Sequence, residues 1–299
     1  MKQKIGMIGI GMMGHGIASN LARKGFALTV LEHPGNQPLD ELKAAGVKTR
    51  TSAAELAAAS DVVIVCVTGS PQVEAVLTGT EGVLKGLGAG TVVIDCSTAV
   101  PASTKRIAEA VIAAGGRFLD APMTRTPKEA AEGRLNLLVG GDTALFDECR
   151  PILAAFAENI THAGAIGAGH QMKLLHNFVS LGSVALLAEA AACAELAGIA
   201  PAVFVEVLSK GGGGGTALER LKPFLLAKDP SGLRFSMSNA LKDLDYYTTM
   251  AGDSGAVHEI AGSVRDTFKR AAADDGQRML PELVTVLAER ASQSRSGKG

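Results

Sequence analysis

The sequence predicts an α/β domain built on a doubly wound parallel sheet over residues 1–163, followed by an all-helical domain over residues 164–292 and a disordered polar tail over 293–299. Three observations carry this expectation. Short apolar runs alternate with stretches of helical periodicity through the first half, a glycine-rich turn joins the first run to the first helical stretch, and from residue 167 onward the apolar pattern is helical alone. A chain of 299 residues has room for two hydrophobic cores.

Taken in order, the run from Lys4 to Ile10 reads as a buried strand, the stretch from Gly11 to Lys24 as a helix, and the run from Phe26 to Leu31 as a second strand. Asp61 to Val67, Val92 to Asp95 and Phe118 to Leu119 continue the strand series, with helical stretches from Pro71 to Leu77 and Ser103 to Ala114 between them. Alternation of this kind places strands parallel, with helices on both faces and a ligand at the strands' carboxyl ends. The pattern from Gly167 to Leu196 is one helix of about 45 Å at about 1.5 Å per residue. Gly198 would end it, Pro201 starts another helix, and a five-glycine segment, Gly211 to Gly215, precedes further helices around Thr216–Leu226, Ala240–Ala251 and Val257–Asp274. The glycine run suits a flexible connection or a loop that admits substrate.

Composition narrows the partners. The 29 basic and 30 acidic side chains leave a formal net charge of -1, so no basic field is present to draw nucleic acid or an anionic membrane. The expected partner is a small soluble molecule. Cys66, Cys96, Cys149 and Cys193 lack Cys-x-x-Cys spacing and read as reduced core thiols, and no His/Cys/Asp cluster has metal-ligand spacing. The chain enters its first strand with no cleavable leader, which points to the cytoplasm. Glu189 and Glu195 argue against a membrane role for the long apolar helix, since a mid-bilayer charge is costly.

Gly9-Ile10-Gly11-Met12-Met13-Gly14 sits where the first strand meets the first helix. The spacing alone is weak in a chain with 36 glycines, but its place between strand and helix gives it meaning. The first glycine permits the turn, the second lets backbone approach a pyrophosphate, and the third lets helix and strand pack closely. This is a Rossmann-type dinucleotide site. Glu32 ends the second strand, where an acid accepts hydrogen bonds from an adenosine ribose diol and repels a 2′-phosphate, so NAD is expected over NADP. Lys43, Lys48 and Arg50 are the cations able to fold over that position. Ser97 and Thr98, after Asp95 and Cys96, suit either a turn cap or a contact with nicotinamide or substrate.

Lys173, His176, Asn177 and Ser180 are spaced to share one face of a helix whose other residues are largely apolar. An amine, an imidazole, a carboxamide and a hydroxyl on one stripe need partners, and a substrate with its cofactor would supply them. His176 equally suits a satisfied core histidine.

Together these residues resemble the β-hydroxyacid dehydrogenase family, which includes 3-hydroxyisobutyrate dehydrogenase, tartronate semialdehyde reductase and the 6-phosphogluconate dehydrogenases. The likeness spans nearly the whole chain through GIGMMG at Gly9 to Gly14, DCST at Asp95 to Thr98, DAPMTRT at Asp120 to Thr126, GAIGAGHQMKLLHN at Gly164 to Asn177 and LKDLD at Leu241 to Asp245. The resemblance implies Lys173 as catalytic general acid/base, Asn177 as its substrate-contacting partner, Lys242 near the nicotinamide, and Val67 and Thr98 along the cofactor. It also implies a homodimer or homotetramer. One departure bears on specificity: family members commonly carry serine and two glycines where this chain has Thr124, Arg125 and Thr126, and the arginine looks like that of the sulfolactaldehyde reductase branch. Ser97, Thr124 and Arg125 are thus the expected anchors for an acidic group, with Thr126, His176 and Ser180 lining the substrate. Arg125 alternatively suits a surface pair with Glu129 or Glu132. The expected activity is NAD(H)-dependent reduction of a short acid aldehyde, or oxidation of its hydroxyacid. Alternatives are a 3-hydroxyisobutyrate, serine or 6-phosphogluconate-like substrate, or a non-catalytic dinucleotide-binding module.

Overall fold

A computed structural model describes residues 3–296. The chain divides into two compact units, Met1–Lys173 and Leu174–Gly299. This division falls inside the long helix Ala168–Leu196, whose head belongs to the first unit.

The first unit is built on nine strands: β1 (Lys4–Ile8), β2 (Ala27–Leu31), β3 (Lys48–Arg50), β4 (Val62–Val65), β5 (Val92–Asp95), β6 (Arg117–Asp120), β7 (Met123–Thr124), β8 (Leu135–Gly140) and β9 (Ala157–Gly164). Their order is β3-β2-β1-β4-β5-β6-β8-β7, with β9 also paired to β8. The register sets Ile5 beside Leu28 and Val62, and Val63 beside Val93. The inner strands are parallel, as their continuous burial requires: all four residues of β4 and of β5 are buried. The sheet is parallel-dominated, as expected, and its far edge is mixed. β8 runs antiparallel to β6 and β7 and parallel to β9. β3 and β9 escape the apolar signal because β3 is a three-residue Lys-Thr-Arg edge and β9 carries mostly exposed or half-buried residues.

The helix Met12–Arg23 packs Ile17, Ala18 and Leu21 into the sheet core. Its Gly16 lies so near the backbone of Ala130 and Ala131 that an added Cβ would stand 2.6 Å from the Ala130 carbonyl carbon. Asn20 Nδ2 donates to Ala130 O at 2.9 Å, fastening that contact with a buried hydrogen bond.

The regular structure of the second unit's described residues is helical, apart from an isolated bridge between Ser236 and Met279. Helices Pro201–Ser209, Thr216–Ala227, Met237–Asp253 and Glu259–Asp275 follow the long helix, and Leu181, Val184, Ala188, Leu221, Leu244 and Phe268 share its core. Each buried Leu or Val contributes about 1.5–3 kcal/mol. A final helix, Leu283–Ser296, runs through residues 293–296, where a disordered tail was expected; its first turn is held by buried Leu283, Val284 and Val286, and residues 297–299 lie outside the described part. Ala168–Leu196 is long and apolar enough to cross a membrane by length and composition, yet its Leu181, Val184, Ala185, Ala188 and Ala191 are buried in the core of the helical unit. All four cysteines are free; Cys96 and Cys149 are core residues as expected, whereas Cys66 is half-buried and Cys193 is exposed on the long helix.

Candidate active site

The glycine turn has the form its spacing predicts. Gly9 adopts φ +92°, and a Cβ there would stand 2.1 Å from the Cys66 carbonyl oxygen. A Cβ on Gly14 would come within 1.9 Å of Gly9 O, so β1 and the first helix can approach only without a side chain. Gly11, the N-cap residue, has no atom within 4 Å of where its Cβ would be, and no side chain caps the helix. The open backbone and uncapped N–H groups form a cradle that fits a pyrophosphate. Met12 is 66% exposed at its rim, while Met13 packs on the sheet core.

Glu32 lies just past β2, where its N–H donates to Arg50 O at 2.7 Å. Lys43 does fold over it: Nζ stands 2.8 Å from Oε1. Hydrogen bonds from Lys43 and Thr49 hold the Glu32 carboxyl below the usual range, and the hydrogen bond to Glu32 holds the Lys43 ammonium above its own. Glu32 is thus an ionised acid beside a cation.

At the ends of β4 and β5, Val67 N donates to Ser97 Oγ at 3.0 Å, and Ser97 N donates to Asp95 Oδ1 at 2.9 Å. Ser97 is buried and ties two strand ends together; Thr98 beside it is half-buried. Asp95 is fully buried, and burial pushes its carboxyl above the usual range against a smaller opposing pull from His170.

After β6, Asp120 receives the head of the long helix. Gly167 N donates to Asp120 Oδ1 at 2.7 Å and His170 N donates to Oδ2 at 2.8 Å. A carboxylate there satisfies two N–H groups of the first turn and complements the helix dipole. Lys173, half-buried, follows one turn later.

The loop Thr124–Thr126 departs from expectation. Thr126 is the N-cap of helix Pro127–Glu132 in a capping box: its Oγ1 donates to Glu129 Oε2 at 2.5 Å and its N at 3.0 Å. Its hydroxyl is engaged in that cap. Thr124 is buried and accepts from Asn136 Nδ2 at 3.1 Å. Arg125 adopts φ +83°, a left-handed conformation rare for a side chain of this size. Its Nη1 donates to the Arg134 carbonyl and to the Glu158 carboxylate. The pair is with Glu158 on β9, not with Glu129 or Glu132.

In the second unit, Asn177 is buried and its Nδ2 donates to Asp243 Oδ2 at 2.6 Å. Asp243 is 3% exposed, and Lys242 Nζ lies 3.2 Å from its Oδ1, an ion-pair distance without hydrogen-bond alignment. Lys242 also stands 5.5 Å from the Tyr246 ring centre. His176 is exposed, with Nδ1 3.0 Å from Asn177 Oδ1, and Ser180 is half-buried, so the stripe is not uniformly interior. Leu175 and Val179 on the same helix are 42% and 65% exposed.

Sequence reading passed over Asp243, His170 and Glu158. Asp243 and His170 lie within motifs already singled out, Leu-Lys-Asp-Leu-Asp and Gly-Ala-Gly-His, but no local spacing pairs either with its partner. Among the described residues no group of three or more His, Cys, Asp or Glu side chains is placed to hold a metal ion.

Two family descriptions match the chain: the NAD-binding domain of 6-phosphogluconate dehydrogenase over residues 4–164, and the NAD-binding region of NADP-dependent 3-hydroxyisobutyrate dehydrogenase over residues 167–282. Among curated proteins, 2-(hydroxymethyl)glutarate dehydrogenase of Eubacterium barkeri is 33% identical over 81% of this chain and 80% of its own length. The NAD-dependent L-serine dehydrogenase of Pseudomonas aeruginosa is 36% identical over 75% of this chain and 74% of its own. The 3-hydroxyisobutyrate dehydrogenase of Mycobacterium tuberculosis, solved with L-serine, superposes with TM-score 0.87 at 27% identity, over 96% of this chain and 99% of that one.

Proposed function

This chain belongs to the β-hydroxyacid dehydrogenase family and is an NAD(P)-dependent oxidoreductase acting on hydroxyl groups, and from that premise we propose that it interconverts a short acid aldehyde and its 3-hydroxyacid with Lys173 as general acid/base. The observation that carries this reading is the single helix Ala168–Leu196. It bears Lys173 with Asn177 four residues on, and Asp243 holds Asn177 at 2.6 Å. A carboxamide whose N–H is committed to a buried carboxylate has a fixed orientation; its Oδ1 faces His176 Nδ1 at 3.0 Å and keeps a second lone pair to accept from an ammonium or a hydroxyl.

Bound nicotinamide supplies or takes the hydride. The protein's own residues manage the proton: in reduction the Lys173 ammonium gives a proton to the carbonyl oxygen as hydride reaches the carbonyl carbon, leaving an alcohol and a neutral amine that reprotonates from water. Oxidation reverses each transfer. In the first unit Ser97, Thr98 and Val67 suit the nicotinamide end and Thr124 the substrate; in the second unit the family resemblance gives Lys242 to the nicotinamide, with His176 and Ser180 as candidate substrate contacts. The test is NADH oxidation against sulfolactaldehyde, tartronate semialdehyde and methylmalonate semialdehyde, and NAD reduction by L-serine and 3-hydroxyisobutyrate. Turnover by none of them would sink the reading and favour a binding module.

Arg125 supports an anionic substrate of the sulfonate or carboxylate type, provided that its fork exchanges Glu158 for the ligand. Arg125→Gly is expected to raise the KM of the preferred aldehyde about tenfold, the worth of one charge-assisted bond. It should also stabilise the fold by about 1 kcal/mol by relieving the left-handed backbone. An unchanged KM with a raised melting temperature would leave Arg125 a structural residue only.

Ionised Glu32 supports NAD as the preferred cofactor. Glu32→Ser is expected to lower the NADH-to-NADPH ratio of kcat/KM by about tenfold; an unaltered ratio would move the selectivity elsewhere, with Lys43 the first suspect. We place the enzyme in the cytoplasm, as a homo-oligomer. Met172, Leu175, Val179 and Leu186, 42–71% exposed on one helix, support self-association along that face. Light scattering of Leu186→Glu should report a smaller particle than wild type, and equal masses would direct the interface to another surface.

A further inference from the structure

We propose that His170 is a positioning residue for Lys173, an imidazole that pins the head of the lysine-bearing helix to the carboxyl ends of β5 and β6. His170 has 0% exposure, so its ring must find its partners inside the protein. Both ring nitrogens are engaged. Nε2 lies 3.1 Å from the Ser97 carbonyl, which can only accept, so Nε2 carries a proton. Nδ1 stands 2.8 Å from Thr104 Oγ1 on the helix Pro101–Ala113.

Two carboxylates flank the ring. Asp120 Oδ2 is 3.7 Å from Nδ1 and Asp95 Oδ2 is 3.9 Å from Nε2. Asp95 Oδ2 has no hydrogen-bond partner among the described residues, so the imidazole edge is what stands to offset a buried acid. Asp120 meanwhile spends its oxygens on the Gly167 and His170 amides, and a Cβ on Gly169 would come 2.3 Å from Leu138 O. Ring, carboxylate and close backbone packing thus hold the first turn against three strand ends.

Lys173 lies three residues beyond, about 4.5 Å along the axis. His170 joins this turn to Ser97, the residue that also accepts from the Val67 amide at the end of β4. A helix head that slips by about 1 Å moves the lysine by a similar distance, enough to cost about a hundredfold in rate. The role rests on the reading of Lys173 as proton donor.

The experiment measures kcat, the KM for NADH and amide exchange of residues 167–173 in wild type, His170→Ala and His170→Gln, with the panel aldehyde of highest turnover. His170→Ala is expected to lose about a hundredfold in kcat while the KM for NADH stays within about threefold, with faster exchange at Gly167 and His170. His170→Gln, whose amide nitrogen can still donate to the Ser97 carbonyl, should recover at least about tenfold of that loss. If His170→Ala does not fold, the glutamine variant decides: protected amides with kcat within about tenfold of wild type support the role, and protected amides with a hundredfold loss overturn it. Folded His170→Ala with wild-type kcat also overturns it. Were Lys173→Ala as active as wild type, the underlying proton-donor reading would fail and take this role with it; Lys173→Ala inactive beside a fully active His170→Ala removes the positioning role alone.

Discussion

Lys173→Ala protein is expected to turn over the best panel aldehyde about a thousandfold more slowly than wild type, within the range that loss of a positioned general acid/base produces. Without the ammonium, the developing alkoxide must take its proton from water, and nothing fixed on the helix replaces the donor. NADH affinity should change little, because the cradle at Gly9–Gly14 and the acid Glu32 lie elsewhere in the first unit. Lys173→Arg should be almost as slow: a guanidinium keeps the charge but does not release a proton near neutral pH. Stopped-flow hydride transfer and NADH fluorescence titration together check this. Fast turnover in either variant would move proton transfer to another group, whereas lost NADH binding would make the lysine a cofactor anchor.

Gly14→Ala is expected to do the opposite, harming fold and cofactor binding together. The new Cβ would stand 1.9 Å from Gly9 O and 3.0 Å from the Gly9 carbonyl carbon, both backbone atoms of the turn that faces the pyrophosphate. Neither can yield without opening the turn, so a loss of about 3 kcal/mol in stability is expected, with NADH binding beyond detection. Gly11→Ala is the matched control. Its Cβ meets nothing within 4 Å, so the melting temperature should hold. The methyl group would occupy the space through which a pyrophosphate approaches, and the Kd for NADH should rise about tenfold. A stable Gly14→Ala protein that binds NADH normally would mean that the turn relaxes more readily than its contacts indicate.

What the sequence determined by itself were the features written in short-range order. β1, β2, β4 and β5 were legible because apolar strands in an inner parallel sheet form unbroken runs, and the glycine turn because each of its positions obeys a local steric rule. The place of Glu32 after the second strand, and of Lys173 and Asn177 on one helix, was also legible from local pattern and spacing. The tertiary structure alone decided which partners those residues meet. Arg125 finds Glu158, 33 positions away; His170 finds Asp120 and Ser97, 50 and 73 away; Asn177 finds Asp243, 66 away. Such pairs are invisible to periodicity because they depend on strand order and helix packing. Edge strand β9 and the helix Leu283–Ser296 escaped for a related reason. Their mostly polar segments acquire regular structure from the neighbour they pair with or pack upon, and that neighbour is named only once the chain has folded.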